Sequence, residues 1–186
     1  LKVTRDEDRD FSGQTLRIFA AGHCFEDLAV DWLRKAGFDL RTRDRSGNQF
    51  GFSVAGGRIQ GHIDGVVVAG PEGLAVPALW ECKSANAKNW KDIVRRGVVA
   101  AKPVYAAQIA LYQAYLGLTE MPAVFTAINK DSCELWHELV PFDAALAQHA
   151  SDRGVQILSA CDAGEWLPRH TTDPDHFECG FCAWKA

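Results

Sequence analysis

Long hydrophobic runs are missing from this 186-residue sequence. No stretch reaches the roughly 18 consecutive apolar residues that a transmembrane helix requires, so we expect no membrane-spanning segment. The first residues read LKVTRDEDRDF, and their charges exclude the apolar core of a secretory signal peptide. These two absences predict a protein without a membrane partner and without a secretory signal.

An excess of basic residues is also missing. The 20 Lys and Arg residues are outnumbered by 24 Asp and Glu residues, giving a formal net charge of -4. Nucleic-acid-binding domains usually have the opposite balance, so overall charge gives no support to that function. The segment 83–102 is nevertheless locally basic, with Asp92 as its single acid. Its basic residues are Lys83, Lys88, Lys91, Arg95, Arg96 and Lys102, and a second group comprises Arg41, Arg43 and Arg45. Such runs are either solvated faces or contacts for phosphate groups.

The six cysteines are too scattered for a small secreted scaffold held by disulfides. We therefore expect a reducing, cytoplasmic environment and mostly free thiols. Only Cys179 and Cys182 have the spacing of a metal knuckle, and His170 and His176 lie near enough in sequence to complete a zinc site. We favour free thiols in a packed tail over an occupied site.

The length and the 47% hydrophobic content fit a single domain over 1–186. Apolar periodicity and turn residues predict helices at 23–36, 103–117 and 142–161. The same signals predict strands at 49–54, 58–69, 74–84, 123–129 and 134–140. This order favours an α/β (α+β) fold with a central mixed β-sheet flanked by helices. The core would span about 20–140, followed by a C-terminal helix and a Cys-containing tail over 141–186.

A predicted hairpin brings two carboxyl groups and an amine together. Glu81 and Lys83 are two residues apart in a strand, so their side chains leave the same face, while Cys82 points to the other. The midpoint between Asp64 and Glu81 falls in the turn GPEG. Asp64 and Glu81 should therefore be cross-strand neighbours. Alternatively, Asp64 caps a turn and Glu81 with Lys83 forms an exposed ion pair.

Apolar residues flank this patch on both strands, in GHIDGVVV and AVPALWECKSA. Carboxylates held together in such surroundings repel one another unless a cation joins them. Hard oxygen ligands suit Mg²⁺ or Mn²⁺, which polarise a phosphoryl oxygen and activate water. Lys83 can hold the attacking water or neutralise charge that develops on a phosphate. These parts together predict a phosphodiester hydrolase with Asp64, Glu81 and Lys83 at its centre.

The ordered motifs GHIDGVVV and LWECKSA resemble the PD-(D/E)XK nuclease superfamily. Asp64 matches the Asp at the end of one strand, and Glu81-Cys82-Lys83 matches Glu-x-Lys on the next. Ile63 stands where a Pro is usual, at a position that varies widely in the superfamily. The resemblance implies a restriction-endonuclease-like core and Mg²⁺- or Mn²⁺-dependent cleavage of DNA.

Two helical motifs resemble the lambda-exonuclease-like and RecB-like branch. Gln108-x-x-x-Tyr112 follows the Glu-x-Lys strand, and AGHCFEDLA contains Glu26. The resemblance implies two metal ions held by Glu26, Asp64, Glu81 and the backbone carbonyl of Cys82. It also implies that Gln108 orients Lys83 or a phosphate and that Tyr112 lines the groove. The DNA backbone would follow Lys88, Lys91, Arg95 and Arg96.

Many enzymes of this branch digest duplex DNA from an end, during recombination or repair. In phage systems they often act beside a single-strand annealing protein, and some form homo-oligomeric rings. The expectation for this chain is therefore an exonuclease of a bacterial or phage-infected cytoplasm. An endonuclease of restriction or repair type on the same fold, or a DNA-binding module without catalysis, are the alternatives. Iron–sulfur nucleases of the superfamily have three Cys near the C-terminus, where this chain has two.

Some candidate residues also have simpler interpretations. Glu26 could face solvent, and His23, one turn earlier, could bind a metal in its place or beside it. Gln108 could lie on the surface and Tyr112 in the core, although both share a helix face. Tyr105 and Tyr115 continue the aromatic stripe and are interpreted as core or groove wall.

Overall fold

A computed structural model describes residues 12–168 and 171–173 of the chain. The helices are α1 (Gly13–Lys35), α2 (Ala87–Ala101), α3 (Pro103–Leu116) and α4 (Ala144–Ala163). The strands are β1 (Asp39–Arg41), β2 (Gly51–Val54), β3 (Ile59–His62), β4 (Gly65–Ala69), β5 (Ala78–Ala85), β6 (Ala123–Asn129) and β7 (Leu135–Val140). In these ranges no helix is both long and apolar enough to cross a bilayer.

Five strands form a mixed sheet in the order β1-β4-β5-β6-β7. Strands β5 and β6 are parallel, and the other neighbours are antiparallel. A parallel pair needs a long crossover connection, which α2 and α3 supply between β5 and β6. Strands β2 and β3 form a separate two-stranded hairpin. The prediction of an α/β fold with a central mixed sheet and flanking helices is confirmed.

The core lies on both faces of the large sheet, because side chains alternate along β5. Trp80 and Cys82 pack in one apolar cluster with Leu33 of α1. Leu79 packs in the opposite cluster, which includes Ile93 of α2 and Ile109 of α3. Glu81 and Lys83 share the pleat phase of Leu79, so they leave β5 on the face covered by α2 and α3.

Local sequence signals explain where several helices begin and end. The Ser12 hydroxyl accepts a hydrogen bond from the Thr15 amide at 3.2 Å and caps α1. Pro103 occupies the first turn of α3, where its missing amide donor costs no helical hydrogen bond. Gly117 ends α3 in the left-handed conformation, with φ of 66°.

Two predicted strands differ most from those observed. The strand predicted at 58–69 is divided into β3 and β4, because the Ile63 amide donates to the Phe50 carbonyl at 3.0 Å and belongs to the hairpin. Gly65 then enters the large sheet. The strand predicted at 74–84 begins only at Ala78. Pro77 directly precedes it and has no amide proton for a ladder hydrogen bond.

The predicted helices and one edge of the sheet also differ from those in the structure. The helix predicted at 23–36 begins at Gly13, since the Ser12 cap stabilises an earlier start. Most of the basic segment 83–102, for which the sequence predicts no helix or strand, forms α2, and its helical pattern is interrupted at Gly97, with φ of 75°. Edge strand β1 was not predicted, because three residues are too few to show alternation.

The described residues divide into two compact units. One ends at Ser151 and contains every strand, and the other contains the described residues from Asp152 onward. A single domain over 1–186 therefore stays a prediction. Four cysteines in the described part are free: Cys24, Cys82, Cys133 and Cys161. The knuckle residues His170, His176, Cys179 and Cys182 lie outside the described residues.

Candidate active site

The site begins where the β4–β5 ladder ends. The last pair is Gly65 with Trp80, so β5 continues beyond its antiparallel neighbour. Asp64 lies at this point, and its Oδ2 atom accepts a hydrogen bond of 2.7 Å from the Cys82 amide. The Asp64 carboxylate thus accepts the hydrogen bond of the Cys82 amide, for which β4 provides no carbonyl partner. The cross-strand proximity of Asp64 and Glu81 predicted from the turn midpoint agrees with this register.

Glu81 is the most deeply buried acid of the site, with a side chain only 1% exposed. Its Oε1 atom accepts from the Lys83 ammonium, whereas Oε2 has no hydrogen-bond partner among the described residues. Burial, and after it the charge of Asp64, raises the pKa of Glu81 to about 7. A buried carboxylate oxygen without a partner is costly, and a cation at this atom would supply the missing partner.

Lys83 is held between an acid and an aromatic ring. Its Nζ atom pairs with Glu81 and lies 5.6 Å from the centre of the Tyr105 ring, a cation–π distance. Burial works to lower the pKa of Lys83, but the Glu81 and Asp64 carboxylates outweigh it and raise that pKa. The ammonium therefore stays charged. The sequence indicated Tyr105 only as core or groove wall, and its contact with Lys83 adds it to the residues of the site.

Glu26 approaches the same acids from α1. Burial, followed by the charge of Asp64, raises the pKa of Glu26, and Glu81 feels the charge of Glu26 in turn. The His23 Nδ1 atom lies 3.9 Å from a Glu26 carboxylate oxygen, while the His23 side chain is 80% exposed. Glu26, Asp64 and Glu81 therefore lie close enough for the charge of one to raise the pKa of another.

The residues fit a hard divalent cation in their chemistry. Carboxylate oxygens are the donors that Mg²⁺ and Mn²⁺ prefer, and the unpartnered Glu81 Oε2 offers one directly. Burial raises the pKa of the Cys82 thiol, so the thiol stays protonated and is a poor metal ligand. A cation could bind Cys82 only through its backbone carbonyl oxygen. Over residues 12–168 and 171–173, no three His, Cys, Asp or Glu side chains already stand in ligand geometry. A bound ion would have to draw Glu26, Asp64 and Glu81 closer together.

Gln108 and Tyr112 stand beside this acidic group on α3. The Gln108 amide nitrogen donates to the Tyr112 hydroxyl at 3.1 Å. Burial raises the pKa of Tyr112, and the charges of Glu81 and Asp64 add to that effect. The two motif residues therefore lie on the helix face that meets the carboxylates.

The predicted phosphate-binding residues are all exposed on α2: Lys88, Lys91, Arg95 and Arg96. Two of them are engaged within the helix, since Arg95 and Arg96 pair with Asp92 at 2.8 Å and 3.2 Å. Lys88, Lys91 and Arg95 recur at helical spacing and form one stripe. This stripe lies on the exposed side of α2, opposite the buried Ile93 that packs on the sheet.

The sheet with helices on both faces is a nuclease-like fold. The chain is similar to the exonuclease LHK-Exo, solved in complex with dAMP, with a TM-score of 0.58 and 17% identity over 84% of this chain and 72% of that chain. SSO0001 matches with a TM-score of 0.47 and 14% identity, over 89% of this chain and 70% of that chain. No family model and no curated protein matches. At 17% identity the likeness to LHK-Exo establishes the fold alone.

Proposed function

We propose that this protein is a DNA nuclease that uses Mg²⁺ or Mn²⁺ to hydrolyse phosphodiester bonds from duplex ends, in recombination or repair. The observation that supports it most is the meeting of Asp64, Glu81 and Lys83 where the β4–β5 ladder ends. An exonuclease of similar fold, LHK-Exo, makes a reaction at the end of a DNA strand the preferred form of this activity.

Glu26, Asp64, Glu81 and the Cys82 carbonyl would hold the metal. When bound, two such ions supply Lewis acidity to the phosphate and lower the pKa of a coordinated water. Glu81 can serve two partners, because Oε1 receives Lys83 and Oε2 has no partner among the described residues. Glu81 can therefore bind a metal ion through Oε2 while Lys83 stays paired with Oε1.

Lys83 provides the positive charge closest to the reacting phosphate. Its raised pKa keeps the ammonium protonated at neutral pH, so it orients the attacking water or neutralises the charge that develops on the phosphate oxygens. Gln108 orients Lys83 or a phosphate oxygen, and Tyr112 forms the adjoining wall of the groove. Lys88, Lys91, Arg95 and Arg96 bind the DNA backbone, which makes binding salt-sensitive.

One observation favours a second candidate, a DNA-binding module without catalysis. The described side chains include no preformed group of three metal ligands, and Lys83 neutralises one oxygen of Glu81. Such a module would bind DNA through the basic stripe of α2 and leave it intact with every divalent ion.

The test is cleavage of one plasmid in its circular and linear forms, with Mg²⁺, Mn²⁺ or a chelator. Wild-type protein should degrade the linear form only and only with metal, whereas Asp64→Asn should lose activity. Asp31→Asn is the matched control, because Asp31 is an exposed acid on α1 paired with Lys35. Cleavage of the circle would indicate an endonuclease. DNA binding without cleavage under all conditions would refute the proposal in favour of the binding module.

A further inference from the structure

The hairpin of β2 and β3 is attached to the candidate site at its base. Ile63, fully buried, directly precedes Asp64. Its amide donates to the Phe50 carbonyl at 3.0 Å, and its carbonyl accepts from the Gln49 side chain at 3.2 Å. Both backbone groups of Ile63 are thus fixed by the chain segment that enters β2. The hairpin therefore sets the backbone position from which Asp64 projects.

The body of the hairpin contacts α3 through an aromatic group. The Phe52 ring stacks on Tyr115, with centroids 4.5 Å apart and an interplanar angle of 25°. It meets Tyr112 edge-on at 5.7 Å and 68°. Tyr115 is itself anchored, since its hydroxyl lies 2.9 Å from the Ser151 hydroxyl. Phe52 therefore packs on the anchored Tyr115 ring and restricts the position of the Tyr112 ring.

Gly61 completes the contact from the opposite strand of the hairpin. It pairs with Phe52, and a Cβ atom at this position would lie only 2.7 Å from both the Phe52 ring and the Tyr112 ring. No side chain larger than a hydrogen fits there without moving an aromatic ring. The Tyr112 ring consequently packs directly against the backbone of β3.

We propose that Phe52, Gly61 and Tyr115 form a clamp that positions Tyr112 at the active site. Through the Gln108–Tyr112 hydrogen bond, the clamp also fixes the amide that faces Lys83 or the phosphate. The hairpin thus orients Asp64 from its base and Tyr112 from its body. This inference rests on the proposed nuclease function, and Phe52 and Gly61 are positioning residues that do not touch DNA.

The kinetic test compares variants of the clamp on duplex DNA. Phe52→Ala should lower kcat by about 10- to 100-fold with KM nearly unchanged, because misplacement of a site group penalises the chemical step. Phe52→Leu keeps apolar volume and should fall in between, and Phe52→Tyr should restore the rate. Gly61→Ala adds an atom rather than removing one and should lower kcat in the same way. Phe38→Ala is the matched control, since Phe38 is half-buried in the cluster on the other face.

A double substitution separates positioning from general stability. In a Tyr112→Phe background, where the Gln108 hydrogen bond is already absent, Phe52→Ala should cost little further activity. If the fold-losses in kcat of Phe52→Ala and Tyr112→Phe multiply in the double variant, Phe52 acts by a route other than Tyr112. That result would overturn the clamp.

A DNA-independent measurement uses the small number of tyrosines, which are Tyr105, Tyr112 and Tyr115. With ¹³C-labelled tyrosine, Phe52→Ala should shift the NMR signals of Tyr112 and Tyr115 and leave that of Tyr105 in place. Unshifted signals, or an active wild type whose kcat is unaffected in Phe52→Ala, Phe52→Leu and Gly61→Ala, would overturn the clamp alone. A wild type inactive with every divalent ion would instead refute the proposed function, and with it the catalytic role of the clamp.

Discussion

Replacing Glu81 by Gln should change how the stability of the protein depends on pH. The Glu81 side chain is 1% exposed, and burial, followed by the charge of Asp64, raises its pKa from the usual 4.5 to about 7. Between these two values the native protein binds more protons at Glu81 than the unfolded chain does. Stability therefore falls as pH rises through this window and levels off above about pH 7.

The size of this loss follows from the two pKa values. The difference between about 7 and 4.5, at about 1.4 kcal/mol per pKa unit, corresponds to on the order of 3 kcal/mol. Solvent screening is small because the group is buried. The loss is the free energy of keeping an ionised carboxylate beside Asp64 in apolar surroundings, with Lys83 as its only counter-charge among the described contacts.

Urea unfolding of wild type and Glu81→Gln, from about pH 4.5 to 8 with a chelator present, measures this difference. Glu81→Gln should gain stability relative to wild type as pH rises, by up to on the order of 3 kcal/mol. Glu120→Gln is the control, because Glu120 is exposed and outside the site. Parallel pH profiles for wild type and Glu81→Gln would refute the assignment of a buried, repelled carboxylate.

Three further predictions concern metal, DNA and the backbone. Mg²⁺ or Mn²⁺ at about 100 times its Kd should stabilise the wild type by about 2.7 kcal/mol, which is visible as a higher Tm. The same ion should not stabilise Asp64→Asn. An equal rise in Tm in both proteins would show that the metal binds elsewhere. Lys88→Ala should lower the steepness of log K against log salt for DNA binding by about 1, as measured by fluorescence anisotropy. Lys130→Ala is the control and should leave the slope unchanged. The same unchanged slope in Lys88→Ala would show that Lys88 does not contact DNA. Gly97→Ala should lower the free energy of unfolding by about 1–3 kcal/mol, because Gly97 has φ of 75° and its Cβ would lie 2.9 Å from a Glu138 oxygen. Denaturation curves that coincide with wild type would contradict that strain.

The part of the fold that the sequence predicted best is the region built from local signals. Helix α3 begins at Pro103 and ends before Gly117 as its terminal residues indicate, and β6 matches its predicted range. The division of the segment 58–69 was not visible, because the hydrogen bonds of Ile63 to Phe50 and Gln49 are long-range. No apolar pattern records that a strand leaves one sheet and enters another.

The candidate site was predictable to the extent that register determines it. The turn midpoint placed Asp64 opposite Glu81, and the pleat placed Lys83 on the same face. The contact of Lys83 with Tyr105 was not predictable, because it depends on how α3 crosses β5. The same is true of Phe52, whose contacts join a hairpin and a helix that are far apart in sequence.

The proposed nuclease activity depends most directly on the side chain of Lys83. The decisive measurement is the rate of nucleotide release from an end-labelled linear duplex by wild type, Lys83→Ala and Lys130→Ala, with Mg²⁺ and with Mn²⁺. Lys130 is an exposed lysine next to the β6–β7 turn and serves as the matched control. We predict that Lys83→Ala remains folded and loses at least about 100-fold in rate, while Lys130→Ala retains it. Wild-type activity in Lys83→Ala with either metal would contradict the account.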